Sequence, residues 1–132
     1  MIAKTELDTN RSEELATSIS NAALSVRSEL GVGLMDDVCR LCFLQELKNM
    51  GLKVKTQVPM PVKCGDKTFE EAYRIDILVE DSVIVQIKPT CGKADLYKAY
   101  VSTYLKHSGY RLGFLIDYDA KLVKGCVNRV IL

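Results

Sequence analysis

From Leu15 onward the apolar positions recur every three or four residues: Leu15, Ile19, Ala22, Ala23, Val26 and Leu30. That spacing lays them along one stripe of a helix. Asn10, with Glu13 three residues on, forms a capping-box-like start for it. Gly31-Val32-Gly33 breaks the pattern, and a second helix is predicted from near Leu34 to Met50, with Gly51 as its C-terminal stop. Its apolar positions are read as Val38, Leu41, Cys42 and Leu47. The two stripes predict Leu15, Ile19, Val26, Val38 and Leu47 buried, and Glu13, Glu14 and Lys48 exposed.

After Gly51 the period changes. "LKVKTQV" (52–58) alternates strictly and predicts a half-buried strand, which Pro59 and Pro61 confine to a sheet edge or a turn. A loop around Gly65-Asp66-Lys67 leads to strands over 72–80 and 83–88, joined at Asp81-Ser82. Residues 94–109 read as a helix closed by Gly109; "RLGFLIDY" is apolar enough for a strand buried on both faces, and "KGCVNRVIL" reads as a last strand. The order is α-α-β-β-β-α-β-β. The strand–helix–strand unit over 83–117 predicts an α/β fold, a mixed sheet with its crossover helix on one face.

Composition narrows this little. A chain of 132 residues fits one domain spanning 1–132, with 1–11 expected as a flexible N-terminal segment. At 48% hydrophobic and 27% charged it reads as an ordinary soluble protein, and no apolar run approaches the ~20 residues of a membrane helix. "MIAKTELDTN" has no apolar signal core, so an intracellular, cytoplasmic location is expected. The five cysteines (Cys39, Cys42, Cys64, Cys91, Cys126) then read as free thiols, and the sequon at Asn10 loses its interest. Charge is uneven: residues 1–87 carry 10 Lys/Arg against 14 Asp/Glu, and residues 88–132 carry 8 against 3. A basic half suits a phosphate-facing surface, and it equally suits the ordinary scatter of charge in a small domain. No feature of the pattern specifies an oligomeric state, a homo-oligomer included.

Three polar residues interrupt the apolar strands: Asp76 in "YRIDILVE", and Gln86 and Lys88 in "VIVQIKP". Phosphodiester hydrolysis uses a divalent ion held by oxygen ligands on rigid strands, with an ammonium nearby to orient water and stabilise developing charge. At these residues the chain resembles the PD-(D/E)XK nuclease superfamily, and within it the GxxExxY group of small proteins. The likeness covers about residues 12–131 and is carried by "ELGVGLMDDV", "LKNMGLKVKTQVPMPV", "YRIDILVEDSVIVQIK" and "TYLKHSGYRLGFLIDY". It implies a restriction-endonuclease-like core, a central mixed β-sheet flanked by helices. It also implies a Mg²⁺- or Mn²⁺-dependent nuclease acting on DNA or RNA. Asp76 would be the main metal ligand, Gln86 a neutral second ligand, Lys88 the water-orienting cation and Asp36 an auxiliary carboxylate ligand.

Gly31, Gly33, Asp76 and Lys88 match the family pattern, and several positions depart from it. Gln86 stands where the family has Glu, Asp36 where its signature has Glu, and Cys39 where the signature has Tyr. Arg27 replaces a frequent His and Tyr100 an expected Gln. A unit charge about 4 Å from another is worth roughly 4 kcal/mol at an effective dielectric near 20, so Gln86 weakens an ion site severely. The competing expectation is a module that keeps the fold, has lost the chemistry, and binds nucleic acid or protein.

Plainer readings stand beside each candidate. Asp76 suits a solvent-facing strand position and Lys88 an exposed strand end. Asp36 and Asp37 suit any helix N-terminus. Cys39-x-x-Cys42 at helical spacing reads as core before it reads as a thiolate metal site. Gly31-x-Gly33 lacks the preceding strand and third glycine of a dinucleotide loop. His107 in a helix's last turn suits the dipole there. Tyr97, Tyr100 and Tyr104 are read as core at helical spacing before base-stacking surfaces.

Overall fold

The computed structural model describes residues 9–31 and 36–132. Helices α1 (Thr9–Leu30) and α2 (Asp36–Asn49) precede a long hairpin of β1 (Val54–Cys64) and β2 (Lys67–Val79). Strand β3 (Val83–Ile87), helix α3 (Ala94–Ser108) and strand β4 (Leu112–Ile116) follow, then a 3₁₀ turn at Val123–Gly125 and β5 (Val127–Ile131). The five strands form one sheet in the order β1-β2-β3-β4-β5. Only β3 and β4 run parallel, and α3 is their crossover. The fold is the expected α/β one, a mixed sheet flanked by helices.

Two apolar layers cover the sheet. On one face α1 and α2 bury Leu15, Ile19, Val26, Phe43 and Leu47 against Ile77, Val79, Val85, Phe114 and Ile116. On the other, Val101 and Leu105 of α3 cover Met60, Ile75, Leu78 and Ile84. Strand β4 is buried at all five positions, as its unbroken apolar run predicts. α3 approaches so closely that a Cβ on Gly113 would lie 2.7 Å from Val101 Cγ1, so this strand position takes glycine for space. The helix ends at Gly109, whose φ of 80° is the left-handed cap that lets its N–H reach the Leu105 carbonyl at 2.9 Å.

Several expectations need correction. α1 already includes Thr9 and Asn10, so Asn10 is not its cap, and Thr9–Arg11 of the supposedly flexible segment are helical. The face of α2 is displaced by one residue. Cys39, Phe43 and Leu47 are buried, whereas Val38 is 41% and Leu41 67% exposed. One residue is about 100° of helix, and Phe43, the bulkiest apolar side chain there, decides which stripe faces the sheet. The start of that helix near Leu34, and Gly33 with it, lie outside the described residues. β1 runs on through Pro59 and Pro61 as an edge strand, with a register shift between Met60 and Val62. On α3 the buried residues are Val101, Leu105 and Ser108 rather than the tyrosines; Tyr100 is 41% exposed and Tyr104 stacks on Tyr73 at 4.6 Å.

The β2–β3 connection has three residues, the odd number that a shared Asp76–Gln86 face requires, and is not a two-residue Asp81-Ser82 join. Val79 pairs with Val83 across three residues, Glu80, Asp81 and Ser82. Glu80 and Asp81 have φ near +50°, and Ser82 N–H donates to the Val79 carbonyl at 3.0 Å, the geometry of a primed turn with one extra residue. Neither residue is glycine, so side chains hold the turn: Glu80 accepts from Arg11 at 2.9 Å and from Lys53 N–H at 2.6 Å, and Lys55 pairs with Asp81 at 2.7 Å. The extra residue sets the register Ile77↔Val85 and Leu78↔Ile84. Extended by one residue, it puts Asp76 and Gln86 on one level, where a two-residue turn would place Asp76 opposite Ile87.

Candidate functional site

Asp76 lies where β2 turns over. Ile77 and Val79 join the α1–α2 layer, but Ile75 joins the α3 layer with Leu78. In a regular strand positions 75 and 77 share a face, so the chain rotates at Asp76. Its neighbour on β1, Gln57, has a φ of 52°, while pairing continues on both sides as Thr56↔Ile77 and Val58↔Ile75. The β2–β3 ladder ends there, and the Asp76 carboxylate continues it: Ile87 N–H donates to Oδ2 at 3.2 Å. Asp76 is therefore 4% exposed, not the solvent-facing residue of its plainer reading.

Arg40 comes down from α2 onto the same carboxylate. Its Nε donates to Oδ1 at 3.0 Å and its Nη2 to Oδ2 at 3.1 Å, a fork on a fork. Gln57 Nε2 donates to Oδ1 at 3.3 Å. With Ile87, that makes two hydrogen bonds on each oxygen, which uses the four lone-pair sites a carboxylate has. Burial opposes the Arg40 cation, but the bonds and charge of Asp76, joined by Asp37 and Asp36, outweigh it and raise the guanidinium above its ordinary value.

Lys88 is closed off in the same way. It is 5% exposed, so the exposed strand-end reading fails. Its ammonium donates to the Pro89 carbonyl at 3.0 Å, the Gly92 carbonyl at 2.9 Å and Asp119 Oδ2 at 3.1 Å, and Asp117 Oδ1 stands 3.5 Å away. An ammonium has three donors, and all three are taken. Lys88 thus serves the end of β4 and not Asp76. Gln86 spends its amide nitrogen on the Ile87 carbonyl at 2.9 Å. Asp36 is tied to Thr90, accepting from the hydroxyl at 2.7 Å and from the N–H at 3.2 Å, which fixes the start of α2 to the loop after β3.

The four expected site residues thus gather around the carboxyl end of β3 as separate, internally satisfied pairs. Among the described residues no three His, Cys, Asp or Glu side chains converge to hold a metal ion. A Mg²⁺ or Mn²⁺ ion needs oxygen lone pairs and negative charge. Asp76 offers no unused lone pair and Gln86 no charge, which leaves Asp36, with two of its four lone-pair sites on Thr90, as a single carboxylate ligand. The residues do not fit the ion that the resemblance implies. Sequence reasoning missed Arg40, Gln57, Asp117 and Asp119. Arg40 stands four residues after Asp36, on the same helix face, and Asp117 and Asp119 follow the strand parallel to β3, where α/β sheets collect polar groups. Those were the available signals.

The model of the PD-(D/E)XK nuclease superfamily matches residues 13–130. No curated protein and no solved structure matches the chain significantly. Nucleases of that superfamily generally use divalent metals.

Proposed function

The chain belongs to the PD-(D/E)XK nuclease superfamily, and we propose that it is a catalytically silent member, a single-domain module that works by binding. The observation that carries this is the Arg40–Asp76 pair. A fixed cation with two-point geometry sits on Asp76, the one carboxylate of the expected strand pair that this chain retains. Gln86 supports the same reading, because it removes the second metal charge, and so does Lys88, whose ammonium has no donor left for a water. The end of the sheet still gathers Asp36, Asp37, Asp76, Asp117 and Asp119 against Arg40 and Lys88, and that excess of negative charge repels a phosphate backbone. Between nucleic acid and protein as partners, this charge favours protein at this end of the molecule. Within the superfamily we assign the chain to the GxxExxY group on the segments around Gly31, Asp36, Asp76 and Lys88. The five free cysteines support an intracellular setting.

The test restores what the site lacks. Mn²⁺ calorimetry and a Mn²⁺-supplemented nuclease assay are run on the native protein, on Gln86→Glu, and on Arg40→Ala/Gln86→Glu. The native protein should give no binding heat and no EDTA-sensitive cleavage. Gln86→Glu alone should change little, because Arg40 still holds Asp76. The double variant removes one positive charge and adds one negative, and should bind Mn²⁺ measurably, since affinity rises steeply with ligand charge. EDTA-sensitive cleavage by the native protein would overturn the proposal and restore a working nuclease.

A further inference from the structure

The sheet has two edges, and they are built differently. β1 carries what keeps an edge from pairing: Pro59 and Pro61, a register shift between Met60 and Val62, and a left-handed Gln57. β5 carries none of these. All five of its residues pair with β4 in unbroken register, from Leu112↔Ile131 to Ile116↔Val127. Its neighbourhood is also apolar at the surface: Leu122 is 63%, Val123 54%, Ile131 66% and Leu132 68% exposed.

The ladder tells which groups on β5 are free. Asp117 N–H donates to the Cys126 carbonyl at 2.7 Å. Antiparallel pairs alternate between bonded and non-bonded, so Asn128 and Val130 also turn their main-chain groups to β4, and Val127, Arg129 and Ile131 turn theirs outward. Three outward residues with an odd one at the centre are self-complementary. We propose that β5 pairs antiparallel with β5 of a second copy of this chain, about a two-fold axis at Arg129, joining two sheets into one of ten strands. Arg129 then exchanges both main-chain bonds with the partner subunit's Arg129, and Val127 faces the partner subunit's Ile131. Leu132 falls opposite the partner subunit's Cys126, beside the exposed apolar pair at 122–123.

The apolar pattern suits a second copy, because Val127 and Ile131 meet on both sides of the axis, and charge permits it. The pairing brings two arginine side chains face to face, which by itself is unfavourable. Each arrives neutralised, because Arg129 Nη2 lies 2.6 Å from Glu13 Oε1 on α1. That bond lowers the Glu13 carboxyl and raises the Arg129 guanidinium. A cleft of about 280 Å³ between α1 and β5, lined by Ala16, Thr17, Ser20 and Val127, leaves this pair accessible along the edge. The axis thus crosses two cations and two anions, with apolar residues at equal distance on either side.

Sedimentation equilibrium over a range of protein concentrations tests this. The native protein should approach twice the 14.7 kDa chain mass. Ile131→Lys, an edge lysine at an exposed position, should shift it to the monomer with an unchanged circular dichroism spectrum. Glu13→Ala, which does not touch the strand edge, should weaken association at least several-fold by exposing the two arginines to each other. Arg129→Gln should largely rescue the Glu13→Ala variant. A native protein monomeric at every concentration overturns the proposal, and so does a dimer indifferent to Ile131→Lys. A monomer that instead captures a synthetic peptide copy of another strand would make the edge a peptide site and likewise overturn it.

Discussion

Two charged clusters flank the end of β3 and solve the same problem in different ways. On the α2 side, Asp76 is an anion held by one cation, Arg40, which is 28% exposed. On the β4 side, Lys88 is a cation enclosed at 5% exposure by two carboxylates and two carbonyls. Here each has found its own partners, and the space between them holds no open ligand set. The difference teaches that a buried anion and a buried cation at one strand end can each be satisfied by neighbours of its own.

Removing one member of each cluster should separate them. Lys88→Met removes a buried cation and leaves half-buried Asp117 and Asp119 without it, and should cost about 3–5 kcal/mol in urea unfolding. Arg40→Met should cost less, about 1–3 kcal/mol, because Asp76 keeps its bonds from Gln57 and Ile87 and the vacated position is near solvent. The reverse ranking would mean that Arg40, not Lys88, is the structural charge.

Gly113→Ala probes the β4 side without touching a charge. The added methyl meets Val101 at 2.7 Å and displaces α3, whose preceding loop carries the Gly92 carbonyl on Lys88. Overpacking of this kind costs roughly 1–3 kcal/mol. It should leave the Arg40–Asp76 side unaffected, so calorimetry with Mn²⁺ in the Arg40→Ala/Gln86→Glu background should give the same affinity with or without it.

The smallest effect concerns pH. Burial pushes the Cys126 thiol from 9.0 up to about 11, and raises Cys39 as well. A raised acid holds its proton more tightly when folded, so its contribution is complete below the ordinary thiol value and is lost as pH climbs from 9.0 towards about 11. Arg40 stays charged throughout this range. Alkaline unfolding should therefore start in the thiol layer under α1 and α2, and Cys126→Ala should move its onset to higher pH. Native thiol titration at neutral pH should consume the exposed Cys64 and Cys91 first, with Cys39 and Cys126 reacting on the timescale of opening.

The strand–helix–strand unit was legible because its apolar periods are long and its ends are marked by glycine. The α1 stripe read correctly at Leu15, Ile19 and Val26 for the same reason. α2 misled because its apolar residues occupy more than one stripe, so periodicity alone could not choose between Val38 and Phe43. Of the site, Asp76, Gln86 and Lys88 stood out as polar residues in or beside apolar strands, whereas Asp36, at a helix start, came only from the resemblance. Their partners did not, since Arg40, Gln57 and Asp119 lie 36, 19 and 31 positions from the residues they bond.

Local pattern by itself determined which segments became helices and strands, and which strand was buried on both faces. Those follow from side-chain periodicity and turn chemistry, which act over a few residues. Only the tertiary structure decided what the charges do. One extra residue at Ser82 set the register, the turning-over at Asp76 aimed its carboxylate along the ladder, and α2 packed so that Arg40 reached it. Buried charges take whichever partner satisfies them most completely, and which partner is within reach is a property of packing.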